Sequence, residues 1–129
     1  VAAGVYAIWD GNSLIYCGMS GRQIENKNLN TKKKFGLFTR LASHASGRLS
    51  GDQFCVYVAN RIVVPVLTAE QLEKFASGKI NLDQLTKSYI QERLEYQFVI
   101  VDSSSEAYRI EIECRRGNVF GVKPILNPA

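Results

Sequence analysis

Tyr6 and Tyr16 stand in two short apolar runs, GVYAIW and SLIYCG, joined by Asp10-Gly11-Asn12. Further on, GLFTRLASHA carries Arg40 and His44 one helical turn apart. A late segment, SSSEAYRIEIECRR, holds Glu106, Glu111 and Glu113, and the tail VFGVKPILNPA sets Asn127 between Pro124 and Pro128. These side-chain types could do defined chemistry. A phenol can act as a general base only where nearby cations or donors bring its pKa down from about 10. A guanidinium, always charged and forked, suits a phosphoryl oxygen whose negative charge must be held in place. A single carboxylate can hold a hard cation that keeps most of its waters. Taken singly, each residue also has an ordinary explanation. Half-buried strands favour tyrosine for packing, Arg40 and His44 suit a solvated helix face, acids are common on helices, and Asn-Pro is a turn dipeptide.

The elements that must position these residues follow from pattern. The residues between the first two runs tolerate left-handed backbone, so residues 4–18 read as a β-hairpin with the tyrosines on neighbouring strands. Residues 19–35 are polar, basic and without apolar periodicity, which reads as a loop. Leu37, Leu41 and Ala45 form one stripe of a short amphipathic helix that ends near Gly47. DQFCVYVANRIVVPV, 52–66, is rich in β-branched and aromatic residues and predicts a third strand that continues or bends before Pro65. Thr68 with Gln71, and Asn81 with Gln84, are capping-box pairs that open two helices, the first stopped by Gly78. QFVIVD, 97–102, is a candidate for a short buried strand. Ser103 with Glu106 opens a last helix that Gly117 ends. On it, Ala107, Ile110 and Cys114 make an inward stripe that includes Glu111, whereas Glu113 points roughly 160° further round and should face water. The expected architecture is α+β: a small, mostly antiparallel three-stranded sheet flanked by helices, with an extra helical insertion around 67–96.

Bulk properties narrow the class. With 129 residues, 46% hydrophobic, the chain has the size of one domain spanning 1–129, and it lacks any run of eighteen apolar residues. Residues 1–50 hold seven Lys/Arg against Asp10 and Glu25, a balance of +5, while residues 51–129 hold nine against ten. A basic half of this kind is the footprint of a nucleic-acid partner. Cys17, Cys55 and Cys114 are odd in number, widely spaced and without a C-x-x-C pair, and there is one histidine. That argues against zinc and a disulfide framework, and for buried free thiols in a reducing, cytoplasmic setting.

GVY at 4–6, YCG at 16–18, Arg40 followed by His44, Glu111 on a late helix and Asn127 in the tail together resemble the GIY-YIG nuclease superfamily, in order and over almost the whole chain. YCG departs from YIG at its middle residue, and the segments 19–39 and 67–96 are longer than a minimal family core. LFTRLASHA also resembles the Arg-x-x-x-His helix of GIY-YIG restriction endonucleases. The resemblance implies that Tyr6 serves as general base, Tyr16 orients water or phosphate, His44 accepts or relays the phenolic proton and Arg40 binds phosphate. Glu111 would be the sole carboxylate ligand of Mg²⁺ or Mn²⁺, in competition with Glu113 and Glu106, and Asn127 would buttress the site. Arg22, Lys32, Lys33, Lys34 and Arg48 would add backbone contacts to nucleic acid. Arg22 is also the rival of Arg40, but it has no histidine partner one turn away. The implied activity is hydrolysis of phosphodiester bonds in double-stranded DNA, of restriction type, with side chains converging on one concave face. A repair or mobile-element nuclease and an inactive nucleic-acid-binding module on the same scaffold are the alternatives. A double-strand cut by so small a domain would call for a homodimer.

Overall fold

The computed structural model describes residues 3–20 and 37–128. The fold is α+β. Strands β1 (Gly4–Asp10) and β2 (Ser13–Ser20) form the hairpin, followed by helices α1 (Leu37–Ala45), α2 (Gln53–Val58), α3 (Ala69–Ala76) and α4 (Leu82–Arg93), strand β3 (Leu94–Ile100) and helix α5 (Ser104–Arg115). The antiparallel sheet has the order β2-β1-β3. β1 and β2 pair with Tyr6 opposite Gly18 and Ile8 opposite Tyr16; the register then shifts so that Trp9 faces Leu14. Ile15 is the extra residue of this bulge.

The chain forms two compact units, one from its ends, up to Ala42 and from Glu95, the other from Ser43–Leu94. In the first, Ala7, Leu14, Cys17 and Cys114 are buried together, with Trp9 packed against them. α5 thereby covers one face of the sheet. The tail runs beside β2, where the amides of Ile125 and Leu126 donate to the carbonyls of Leu14 and Ile15. In the second unit Phe54, Cys55, Val58, Ala59, Val63, Thr86 and Ile90 are buried.

Three expectations are corrected. Residues 52–66 form no strand: α2 continues into a π-helical turn, Ala59–Val63, and a 3₁₀ turn, Val64–Val66. Phe54, Cys55, Val58, Ala59 and Val63 recur at helical spacing, and burying that stripe overrides the strand preference of β-branched residues. Asp52 caps the helix by accepting from the Cys55 amide at 3.1 Å. The late strand begins at Leu94, before the expected 97, and Glu95 to Ile100 are exposed because β3 is an edge strand. Cys17 and Cys114 are joined as a disulfide, leaving Cys55 free and buried. Spacing was no guide, because one sits on β2 and the other on the inward stripe of α5, their Cα atoms 6.5 Å apart across the helix–sheet contact. With that bond, cysteine usage no longer points to a reducing setting.

Both expected capping boxes are complete, at Thr68/Gln71 and Asn81/Gln84. At α5 only half forms: Ser103 accepts from the Glu106 amide, but the Glu106 carboxylate turns to Arg109. Among the described residues no helix is long and apolar enough to cross a membrane.

Candidate active site around the strand residues 16 to 18

Alternation along β1 and β2 puts Tyr6, Ile8, Tyr16, Gly18 and Ser20 on one face and Ala7 and Cys17 on the other. The rings of Tyr6 and Tyr16 lie 6.4 Å apart, tilted by 33°. Tyr6 is buried and Tyr16 half-buried. Gly18 explains how Tyr6 lies so close to the strand: a Cβ there would overlap the Tyr6 ring and hydroxyl. The glycine of the YCG motif is therefore a seat for the tyrosine of the GVY motif.

The same face carries α1. Phe38 meets Phe98 edge-on at 5.3 Å, and Phe98 alternates with Gln97, whose side chain accepts from the Trp9 indole on the α5 face at 2.7 Å. Arg40, on α1, is exposed.

Glu111 belongs to the opposite face. It is 7% exposed and shares the buried edge of α5 with Ala107 and Cys114, whereas Glu113 is less buried and bonds Arg116 and Asn118 near the helix end. Of the competing acids Glu111 is thus the inward one. Arg115, one turn on, donates to Glu111 Oε1 at 3.1 Å and also to the Pro128 carbonyl at 3.3 Å. Glu111 is linked in this way to the tail beside β2. Asn127 sits there, its side chain accepting from the Cys17 amide at 2.8 Å and donating to the Cys17 carbonyl at 2.9 Å. It serves as a one-residue extension of the sheet.

The expected convergence on one concave face is therefore not what forms. Tyr6, Tyr16 and the helix of Arg40 lie on one side of the sheet, Glu111 on the other, and Asn127 on the outer edge of β2 between them. What they share is the backbone of Tyr16-Cys17-Gly18. Tyr16 stands on it, Tyr6 rests on Gly18, Asn127 brackets Cys17, and the helix of Glu111 is bonded to Cys17 through Cys114.

His44 lies in the second unit and is 4% exposed. Its Nδ1 is 2.8 and 3.0 Å from the two carboxylate oxygens of Asp52, and its ring packs on Phe54 at 4.7 Å. Asp52 also accepts from the Ser43 hydroxyl at 2.6 Å. Burial alone would raise the Asp52 carboxyl, but the hydrogen bond and charge of His44, with Ser43 and the Cys55 amide, hold it down at about 2. Burial pushes the nearby Cys55 thiol up, and the Asp52 carboxylate adds to it, to about 12. Asp52 was missed in the sequence because reading 52–66 as a strand hid its position as a helix cap, the one signal that could have singled it out.

Arg48 is exposed in the second unit. Arg22, Lys32, Lys33 and Lys34 lie outside the described residues. Among the described residues no group of three or more His, Cys, Asp or Glu could hold a metal ion. A single carboxylate remains, with Arg115 engaging its Oε1. That minimal donor set fits a magnesium-sized ion only if water and substrate oxygens complete its octahedron. Compared with family models, with curated proteins and with solved structures, the chain matches none.

Proposed function

We propose that this chain is an endonuclease of GIY-YIG type that hydrolyses DNA phosphodiester bonds with Mg²⁺ or Mn²⁺. The observation that supports it is the meeting of three distant motif fragments on Tyr16-Cys17-Gly18: the first tyrosine, the tail asparagine and the helix of the lone inward glutamate. In this reading the scissile phosphate lies against the outer edge of β2. Tyr16, the more exposed phenol, orients water or phosphate, and Tyr6 behind it takes the proton. Arg40 holds a non-bridging oxygen. Asn127 fixes the strand that carries Tyr16. Glu111 would hold the cation, which when bound supplies charge neutralisation at the phosphate and at the leaving 3′ oxygen.

One feature of the molecule favours a second reading, nucleic-acid binding without cleavage. Glu111 is already paired with Arg115 and lies across the sheet from both phenols. An arginine in that position competes with a cation for the carboxylate.

Supercoiled plasmid incubated with the protein and Mg²⁺ or Mn²⁺ separates the two. The nuclease reading expects nicked or linear product, lost in Glu111→Gln while DNA binding persists. Binding with no cleavage under either metal leaves the second reading standing, and neither binding nor cleavage removes both. Linear product would point to action as a homodimer, and discrete fragments to restriction rather than repair or mobile-element use. A restriction role would set the activity in the cytoplasm, and because Cys17 and Cys114 are bonded the assay is run with and without reductant.

A further inference from the structure

Arg115 does more at Glu111 than neutralise it. The guanidinium divides its donors between two acceptors: Nη1 bonds Glu111 Oε1 at 3.1 Å and Nη2 bonds the Pro128 carbonyl at 3.3 Å. Held at both ends, it is fixed against the carboxylate. It is also the more exposed partner, with 35% of its side chain accessible against 9% for Glu111, so solvent meets the guanidinium first. Glu111 Oε2 accepts no hydrogen bond among the described residues and is the oxygen left for a cation. An ion there would face a like charge at short range, in a partly buried place where salt screens such repulsion poorly. The free protein should bind it weakly. The tail that Arg115 grips runs beside β2, so Arg115 reaches from Glu111 toward the strand edge against which the phosphate was placed above. A phosphate gives a guanidinium a charged, two-pronged partner that a backbone carbonyl cannot match.

We propose that Arg115 gates the cation position: it holds Glu111 closed in the free protein and opens it by moving to a phosphate of the bound nucleic acid. No covalent step is involved. The move takes the repelling charge off Glu111 while the phosphate adds an oxygen ligand, so ion and nucleic acid strengthen each other's binding by the same factor. The inference rests on the nuclease reading for Glu111 as the cation ligand, and it is measured without cleavage.

Calorimetric titration with Ca²⁺, a hard dication of the same oxygen preference, tests it on the free protein and with a short DNA duplex that a gel shows to stay intact. Arg115→Gln should bind Ca²⁺ at least about tenfold more tightly than the wild type, a gain that mere structural damage would not produce. Arg115→Lys, which keeps the charge, should stay weak, and Glu111→Gln added to Arg115→Gln should abolish the gain. The duplex should tighten Ca²⁺ binding about tenfold in the wild type and by a clearly smaller factor in Arg115→Gln. Equal Ca²⁺ affinity in wild type and Arg115→Gln overturns the inference, as does a gain that survives Glu111→Gln or a duplex effect of the same size in both proteins. Should Arg115→Gln fail to fold, the duplex effect in the wild type and its loss in Glu111→Gln decide the matter. Plasmid cleavage with Mg²⁺ keeps the two readings apart: a gate that fails in a protein that cuts leaves the nuclease standing, and a gate that works in a protein that never cuts removes the nuclease alone.

Discussion

The molecule has two polar centres, built in opposite ways. Around Tyr16-Cys17-Gly18 the links span most of the chain: 97 residues from Cys17 to Cys114 and 110 from Cys17 to Asn127. Around Asp52 they are local, with Ser43 nine residues away, His44 eight and the Cys55 amide three. The first centre is made of neutral groups and backbone, with its one carboxylate already paired. The second is a buried carboxylate with three donors. Centres that depend on distant partners form only when the whole unit is folded, whereas a local one can organise its own helix junction. They should therefore fail under different insults.

Asp52→Ala is the strongest blow to the contrast. It leaves the His44 ring, the Ser43 hydroxyl and the Cys55 amide without their shared acceptor, and should cost about 3–5 kcal/mol, as expected for a broken buried pair. Amide exchange should rise at the end of α1 and in α2 and stay unchanged in the β1–β2 hairpin. Acid should do the same gradually. The folded Asp52 carboxyl, at about 2, lies below its ordinary 3.8, so the unfolded chain takes up the proton first. Its contribution is complete above pH 3.8 and is lost as pH falls to about 2, amounting to about 2 kcal/mol. Denaturant titrations across that range should show this slope in the wild type and not in Asp52→Asn, which keeps a cap acceptor but has no proton to take up. An unchanged slope in Asp52→Asn would remove the assigned role.

Gly18→Ala attacks the other centre. The new methyl group collides with the buried Tyr6 ring and should destabilise the protein by about 1–3 kcal/mol with exchange rising in the hairpin instead. Combined with Tyr6→Ala, which removes the colliding ring, the glycine substitution should cost little more. If Gly18→Ala is as stable as the wild type, Tyr6 does not rest where the site needs it.

This difference also explains what could be read from the sequence. The hairpin, both complete capping boxes and the inward turn of Glu111 follow from spacing within a few residues, and all are found. The links through Cys17 do not: no pattern in SLIYCG says that Asn127 will bracket its cysteine or that Cys114 will reach it. The order of motifs singled these residues out, but could not say which face of the sheet each would occupy. The local centre failed for another reason. Val56, Tyr57, Val58, Ile62 and Val63 look like a strand by composition, and only the Asp52 cap and the helical recurrence of the buried positions tell otherwise.

Cys55 offers the gentlest way to sharpen the contrast, because it reports on the local centre without breaking it. Its Sγ donates to the His44 carbonyl at 3.4 Å and is fully buried. Burial and the neighbouring Asp52 carboxylate push the thiol to about 12, from an ordinary 9.0. At pH 8 almost none is thiolate, the form that reacts. A maleimide or iodoacetamide should therefore leave Cys55 unmodified in the native protein and label it fully in denaturant, with Cys17 and Cys114 silent in both until reduced. The sign of the linkage adds a second readout. A raised thiol favours folding below pH 9, and that contribution fades as pH climbs toward 12, when the unfolded chain ionises first. Asp52→Asn removes the largest cause after burial, so it should speed labelling of Cys55 severalfold while global stability still holds. Equal rates in both proteins would mean that burial alone keeps the thiol neutral and that the carboxylate does not act on it.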